Sequence, residues 1–177
     1  MRNKTILAVL SAFALTGVAN AEVAGSGTIG VTADVKGSIL LTFVTDGSGL
    51  AVTGTTTSAA SLPLGTVQMF GGAVPANVTK TVNGLLSFDL TTPFDVRVDV
   101  ANSASATYIL TAVLATPDPV NVWTLGASDI SASGTPTNLN ATGAYATPTP
   151  YTLKVRVPAT APAGLISNSI AFTATAN

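Results

Sequence analysis

Residues 94–100 read Phe-Asp-Val-Arg-Val-Asp-Val, a strict two-residue alternation. Successive side chains of an extended strand leave on opposite sides, so Phe94, Val96, Val98 and Val100 share one face and Asp95, Arg97 and Asp99 the other. One face is core and the other is water. Similar short runs recur along the chain. Residues 107–114 form a second expected strand, and 151–157 alternate again with Lys154 and Arg156 outward. Residues 38–44, Ser-Ile-Leu-Leu-Thr-Phe-Val, are almost continuously apolar and read as a strand buried on both faces. Asn83-Gly84 tolerates positive φ at both turn positions, so a hairpin is expected between residues 78–82 and 85–90.

Weaker signals fill the intervals. Residues 50–53 read as a short strand, 62–67 as a sheet edge where Pro63 is allowed, and 166–176 as a last strand marked by Ile166, Ile170 and Phe172. Trp123 reads as a core anchor. Thr45-Asp46-Gly47-Ser48-Gly49, Thr116-Pro117-Asp118-Pro119 and residues 54–61, 101–106 and 158–164 are turns or loops, and 131–150 reads as a long Ser/Thr/Asn/Gly/Pro loop. Helix-favouring Glu, Lys, Gln and Arg are scarce, with 8% charged residues against 16 Gly and 10 Pro. The fold class predicted is all-β: a single antiparallel β-sandwich over residues 37–177, immunoglobulin-like or jelly-roll-like, with about 8–10 strands. The strand order is not readable from these runs.

The beginning of the chain has a different character. Arg2 and Lys4, an apolar run over residues 6–15 and the small-x-small triplet Ala19-Asn20-Ala21 predict a signal peptide, 1–21, cleaved before Glu22. The run is too short to span a bilayer, and nothing later is longer, so export without stable membrane insertion is expected. Residues 22–36 follow as a segment of their own. Within it, residues 27–35 (Gly-Thr-Ile-Gly-Val-Thr-Ala-Asp-Val) place Ile29, Val31, Ala33 and Val35 on one edge of a ribbon about 30 Å long. Such a ribbon pairs either inside its own fold or with a neighbouring subunit.

Reactive chemistry is sparse. The chain has no His and no Cys, which removes the commonest general base, the thiol nucleophile, the usual zinc and copper ligands, and disulfides. No catalytic residue, cofactor or metal ligand is assigned, and an enzyme is the least supported class. Asp95 and Asp99 are the obvious carboxylate pair, but their place around Arg97 on an outward face reads as a surface ion pair. Asp46, Asp118 and Asp129 read as turn residues rather than calcium ligands, since they lack Asp-x-Asp-x-Asp spacing. Trp123, Tyr145 and Tyr151 suggest either a sugar-stacking platform or core packing, with packing favoured. Asn77-Val78-Thr79 and Asn140-Ala141-Thr142 fit the glycosylation pattern at Asn77 and Asn140. Without Arg2 and Lys4, five basic residues face eight acidic ones, so nucleic acid is not an expected partner.

Taken together, the signal peptide, the alternating residues 28–35, the run 38–44, the Leu-Gly of residues 62–67 and the C-terminal strand 166–176 resemble a family. It is that of secreted fibre subunits assembling by donor-strand exchange, namely chaperone–usher pilins and, more loosely, TasA-like and archaeal bundling-pilus subunits. The resemblance implies a structural subunit of an extracellular filament, pilus, fimbria or biofilm fibre at the cell surface. Each subunit would insert its N-terminal strand, through Ile29, Val31, Ala33 and Val35, into the next, making a homopolymer. An assembly chaperone and usher are partners in part of that family. This chain carries neither the cysteine pair of many chaperone–usher subunits nor their usual aromatic near the C-terminus, so assembly without them stays open. Two other readings share the composition: a monomeric secreted binding module or adhesin using residues 121–123 and 138–151, and a surface-layer subunit.

Overall fold

The computed structural model describes residues 29–57, 59–131 and 134–177. The expected signal peptide, 1–21, and residues 22–28 lie outside them. Two units are distinguished, residues 1–34 and 35–177. The second is an antiparallel β-sandwich in which the described residues form nine strands: β1 (Ser38–Val44), β2 (Thr79–Asn83), β3 (Ser87–Ala101), β4 (Thr107–Leu114), β5 (Val122–Leu125), β6 (Ser128–Asp129), β7 (Thr137–Ala144), β8 (Thr149–Pro158) and β9 (Ile170–Ala176). One sheet has the order β1-β3-β8-β5-β6, with β2 also pairing β3, and the other the order β7-β4-β9.

The core follows the alternation of the three central strands. Phe88, Leu90, Phe94, Val96 and Val98 of β3, Leu153, Val155 and Val157 of β8 and Tyr108, Leu110, Ala112 and Leu114 of β4 are buried between the sheets, together with Trp123 and Leu125. Burying one such side chain stabilises the fold by roughly 1.5–3 kcal/mol, which explains how a domain without disulfides holds together. The second face of β3 is polar as expected. Arg97 pairs with Asp99 at 2.8 Å, and Arg156 of β8 makes a two-pronged bond to Asp89 at 2.8 and 3.0 Å.

Strand β3 joins two runs that read separately in the sequence. Pro93 sits between them without breaking the strand, because it lies between the stretch of β3 paired with β2 (residues 87–91) and the stretch paired with β1 (residues 95–101). The missing N–H therefore costs no ladder bond to either. The completely buried Thr92 Oγ1 closes this gap: it accepts a hydrogen bond from Leu50 N–H (2.9 Å) and donates to Asn77 O (3.0 Å).

Several expectations are corrected. Residues 38–44 are not buried on both faces. Strand β1 lies at the margin of its sheet, Leu40 is 52% exposed, and only the alternate residues Ile39, Leu41 and Phe43 pack on the core. Residues 50–53 make a single bridge, Thr53 with Ser61, instead of a strand. Residues 62–67 form no ladder, although Leu62, Leu64 and Val67 pack on the core as an irregular strap. The hairpin exists, but its loop is Gly84-Leu85-Leu86, closed by Asn83 opposite Ser87, so both leucines point outward. The expected loop 131–150 contains β7 and the first residues of β8. Strand β7 has one large apolar residue, Leu139, and is held by its ladder to β4. The last strand begins at Ile170, leaving Ile166 in the preceding loop.

Candidate functional site

Residues 29–37 form no strand. Ile29 is 90% exposed, Val31 86% and Val35 67%, and Ala33 is exposed as well. The expected extended ribbon is therefore not a paired strand of this chain, and its Gly27 and Thr28 lie outside the described residues. As placed, these apolar side chains gain no stabilisation from burial.

The edges of the sandwich differ in how they are protected. Unpaired strand edges template further pairing, and folded chains guard them with charge, proline, bulges or shortness. Strand β2 has five residues and carries Lys80, β6 has two residues, and β7 is interrupted by two register shifts. Strands β1 (SILLTFV) and β9 (IAFTATA) each have seven residues with no charge, no proline and an unbroken register. These two unguarded edges lie beside one another. Phe43 of β1 meets Phe172 of β9 edge-on with ring centroids 5.0 Å apart, and Phe172 also meets Phe94 at 6.1 Å. At the other end of the pair, Gly37, Ser38, Ile39, Ser103 and Ala176 line an open recess of about 390 Å³.

Backbone polarity follows from the ladders. Asn177 N–H donates to Thr107 O (3.0 Å) and Ala115 N–H to Ser169 O (2.8 Å), so odd-numbered residues of the last strand turn their peptide groups to β4. In an antiparallel ladder the alternate residues turn theirs away. The amides and carbonyls of Ile170, Phe172, Ala174 and Ala176 thus face the open edge, with no hydrogen bond among the described residues. Their neighbours across the opening, Ile39 and Leu41, are oriented likewise, while Phe43 N–H is already held by Thr56 O at 2.7 Å. Ile39, Leu41, Ile170, Phe172 and Ala174 are only partly buried, so the core is incompletely covered along this side.

The other candidates have structural duties. Asp46 Oδ1 accepts from Ser48 N–H (2.7 Å), and Asp129 Oδ1 from Ser131 N–H (2.8 Å), each pinning a turn. Asp118 accepts from Val120 N–H, Asn121 N–H, Asn121 Nδ2 and Trp123 Nε1 at 2.8–3.0 Å. Burial pushes its carboxyl up, and these hydrogen bonds outweigh that and hold it at about 2. Burial and the like charge of nearby Asp46 push Asp95 up, while Asp99 is engaged by Arg97, so the two carboxylates do not act as a pair. Trp123 is buried, Tyr145 packs at a tilt against Tyr108 with ring centroids 5.3 Å apart and donates to Thr107 O, and Tyr151 packs by Phe94 at 6.4 Å. These rings belong to the core and build no exposed platform. Of the two sequons, Asn77 precedes β2 with its Nδ2 on Gly49 O (3.0 Å), and Asn140 lies in β7 with its Oδ1 accepting Thr142 N–H (3.0 Å). Among the described residues no group of three or more Asp, Glu, His or Cys side chains is placed to hold a metal ion.

No family model, no curated protein and no solved structure matches this chain.

Proposed function

We propose that the protein is a structural subunit of an extracellular filament, polymerising head-to-tail as residues 27–35 of one copy complete the sandwich of the next. One observation carries this reading: the alternating residues Ile29, Val31, Ala33 and Val35 form no strand, while the sandwich leaves two adjacent edges unguarded. The physics of such a contact is favourable. Each main-chain hydrogen bond gained contributes roughly 0.5–1.5 kcal/mol net, and each branched side chain buried about 1.5–3 kcal/mol. A heterologous contact of this kind does not close on itself, so it propagates into a fibre. Export by the N-terminal signal would put the fibre at the cell surface. Low charge and abundant Thr, Ser and Ala suit subunits that lie against one another.

The test is negative-stain electron microscopy and unboiled gel electrophoresis of the processed chain beside a version lacking residues 22–36. Filaments and ladders from the first, with monomer from the second, are expected. A processed chain that stays monomeric at high concentration, while the truncation unfolds, would make the segment an internal strand and end the filament reading.

A further inference from the structure

Resting on that reading, we infer that the acceptor is the free edge of β9, and that residues 29–35 of a second copy of this chain run antiparallel to it with Val31 opposite Ala174. The edge is chosen by availability. The outer edge of β1 is already bonded at Phe43 by Thr56, whereas Ile170, Phe172, Ala174 and Ala176 all turn peptide groups outward, the first three with their side chains against the core and Ala176 exposed at the end of the strand. A strand paired there in antiparallel fashion places its own inward side chains directly opposite those four residues.

Side-chain size sets the register. With Val31 opposite Ala174, Ile29 falls opposite Ala176 and Val35 opposite Ile170. Ala33 then falls opposite Phe172, the crowded position where Phe43 and Phe94 already meet that ring. Branched side chains cover alanines at the open end, and the one small donor residue meets the one large aromatic. Moving the register by two residues would put Val31 or Val35 against Phe172 and leave an alanine facing an alanine or Ile170.

Reach assigns the occupant. Ser38 sits at the recess with Ala176, and Phe43 faces Phe172, so β1 and β9 run in opposite directions. In the inferred arrangement Val35 must lie by Ile170, six residues from Ala176, or about 20 Å along the strand. Only Lys36 and Gly37 separate Val35 from Ser38. Three Cα steps span at most about 11 Å, so a chain cannot place its own segment this way. Self-insertion would instead run parallel to β9, bringing Ala33 towards Ala174. In the head-to-tail arrangement the donor enters past the Ile170 end, away from the recess where the acceptor's own segment departs.

A chain without cysteine makes the test clean. The processed protein carrying Val31→Cys and Ala174→Cys is oxidised and run on a boiled, non-reducing gel, beside Ala33→Cys with Ala174→Cys, with each preparation viewed by negative-stain microscopy. Paired Cα atoms of an antiparallel ladder lie about 5.5 Å apart, within disulfide reach. The expected result is a reducible ladder from the 31/174 pair only, and a dimer when Val31→Cys and Ala174→Cys single variants are mixed. A ladder from the 33/174 pair alone, or a cross-linked monomer from either pair, overturns the inference. Filaments without a 31/174 cross-link overturn the edge and register but leave the filament standing. Absence of both filaments and ladders overturns the two together.

Discussion

Replacing Gly143 with alanine tests how tightly the smaller sheet is built. Gly143 of β7 lies opposite Tyr108 of β4, and a Cβ at residue 143 would meet the Tyr108 ring at 2.7 Å from Cε1 and closer still to Cζ and Cε2. Ordinary contact begins at 3.4 Å, so the strand and ring would have to separate by more than about 1 Å. The ring has little room to yield, because Tyr108 is completely buried and packed at a tilt against Tyr145, whose own hydroxyl is fixed to Thr107 O at 2.9 Å. The adjustment falls on β7, an edge strand already bulged beside this point. Overpacking of this kind costs roughly 1–3 kcal/mol, offset in part by about 0.4–1 kcal/mol from a stiffer unfolded chain. The net loss expected is about 1–2 kcal/mol, a fall in Tm of roughly 2–8 °C for a domain of this size. Chemical denaturation and calorimetry measure it, and a double-mutant cycle with Tyr108→Leu assigns it, since the clash disappears with the ring. Gly143→Ala within about 0.5 kcal/mol of the parent, or strict additivity with Tyr108→Leu, would refute the reasoning. The acceptor edge lies across β4 from this site, so variants that stay folded should still polymerise.

Two further outcomes follow from the polar interior. Thr92→Val keeps the shape but strips the buried hydroxyl from Leu50 N–H and Asn77 O; both bonds are only part-buried, so the expected cost in urea unfolding is about 1–2 kcal/mol, the lower part of the roughly 1–3 kcal/mol for an orphaned buried group. Asp118, held at about 2 against its ordinary 3.8, contributes stability that is full above pH 4 and disappears as pH falls towards 2. The size is about 2 kcal/mol, and Asp118→Asn should lower Tm at pH 7 and flatten the fall in Tm between pH 4 and pH 2.

The strands that could be read from the sequence are those facing core on one side and water on the other. The runs of β3, β4 and β8 declare themselves through Val96 and Val98, Leu110 and Leu114, and Leu153, Val155 and Val157. Strand β7 gave no such signal. Its Thr-Asn-Leu-Asn-Ala-Thr-Gly-Ala has one large apolar residue, and what makes it a strand is the β4 ladder and a glycine that lets Tyr108 approach. The continuous apolar run of β1 misled for a related reason: burial depends on which strand lies on each side, and that is a non-local fact. The apolar–polar alternation of residues 27–35 was legible, although residues 29–35 form no strand, but the candidate acceptor was not. An unguarded edge is defined by the strand order, by Thr56 capping Phe43 and by the parity of peptide groups along β9. Only the last of these leaves even a faint trace in the sequence, as the alternation Ile170, Phe172, Ala174.

The most direct test of the central claim is a comparison of the processed chain with its Val31→Asp variant, following monomer stability and the critical concentration for filaments side by side. Val31 is almost fully exposed in the single chain, so the folded monomer should be unchanged within about 0.5 kcal/mol. In the filament the same change removes about 2 kcal/mol of apolar burial and strands a carboxylate at a further cost of at least about 2 kcal/mol. A critical concentration raised about 1,000-fold, or no filaments at all, is predicted. Filaments forming at the parent's concentration, or a monomer that loses stability in step with assembly, would contradict the account.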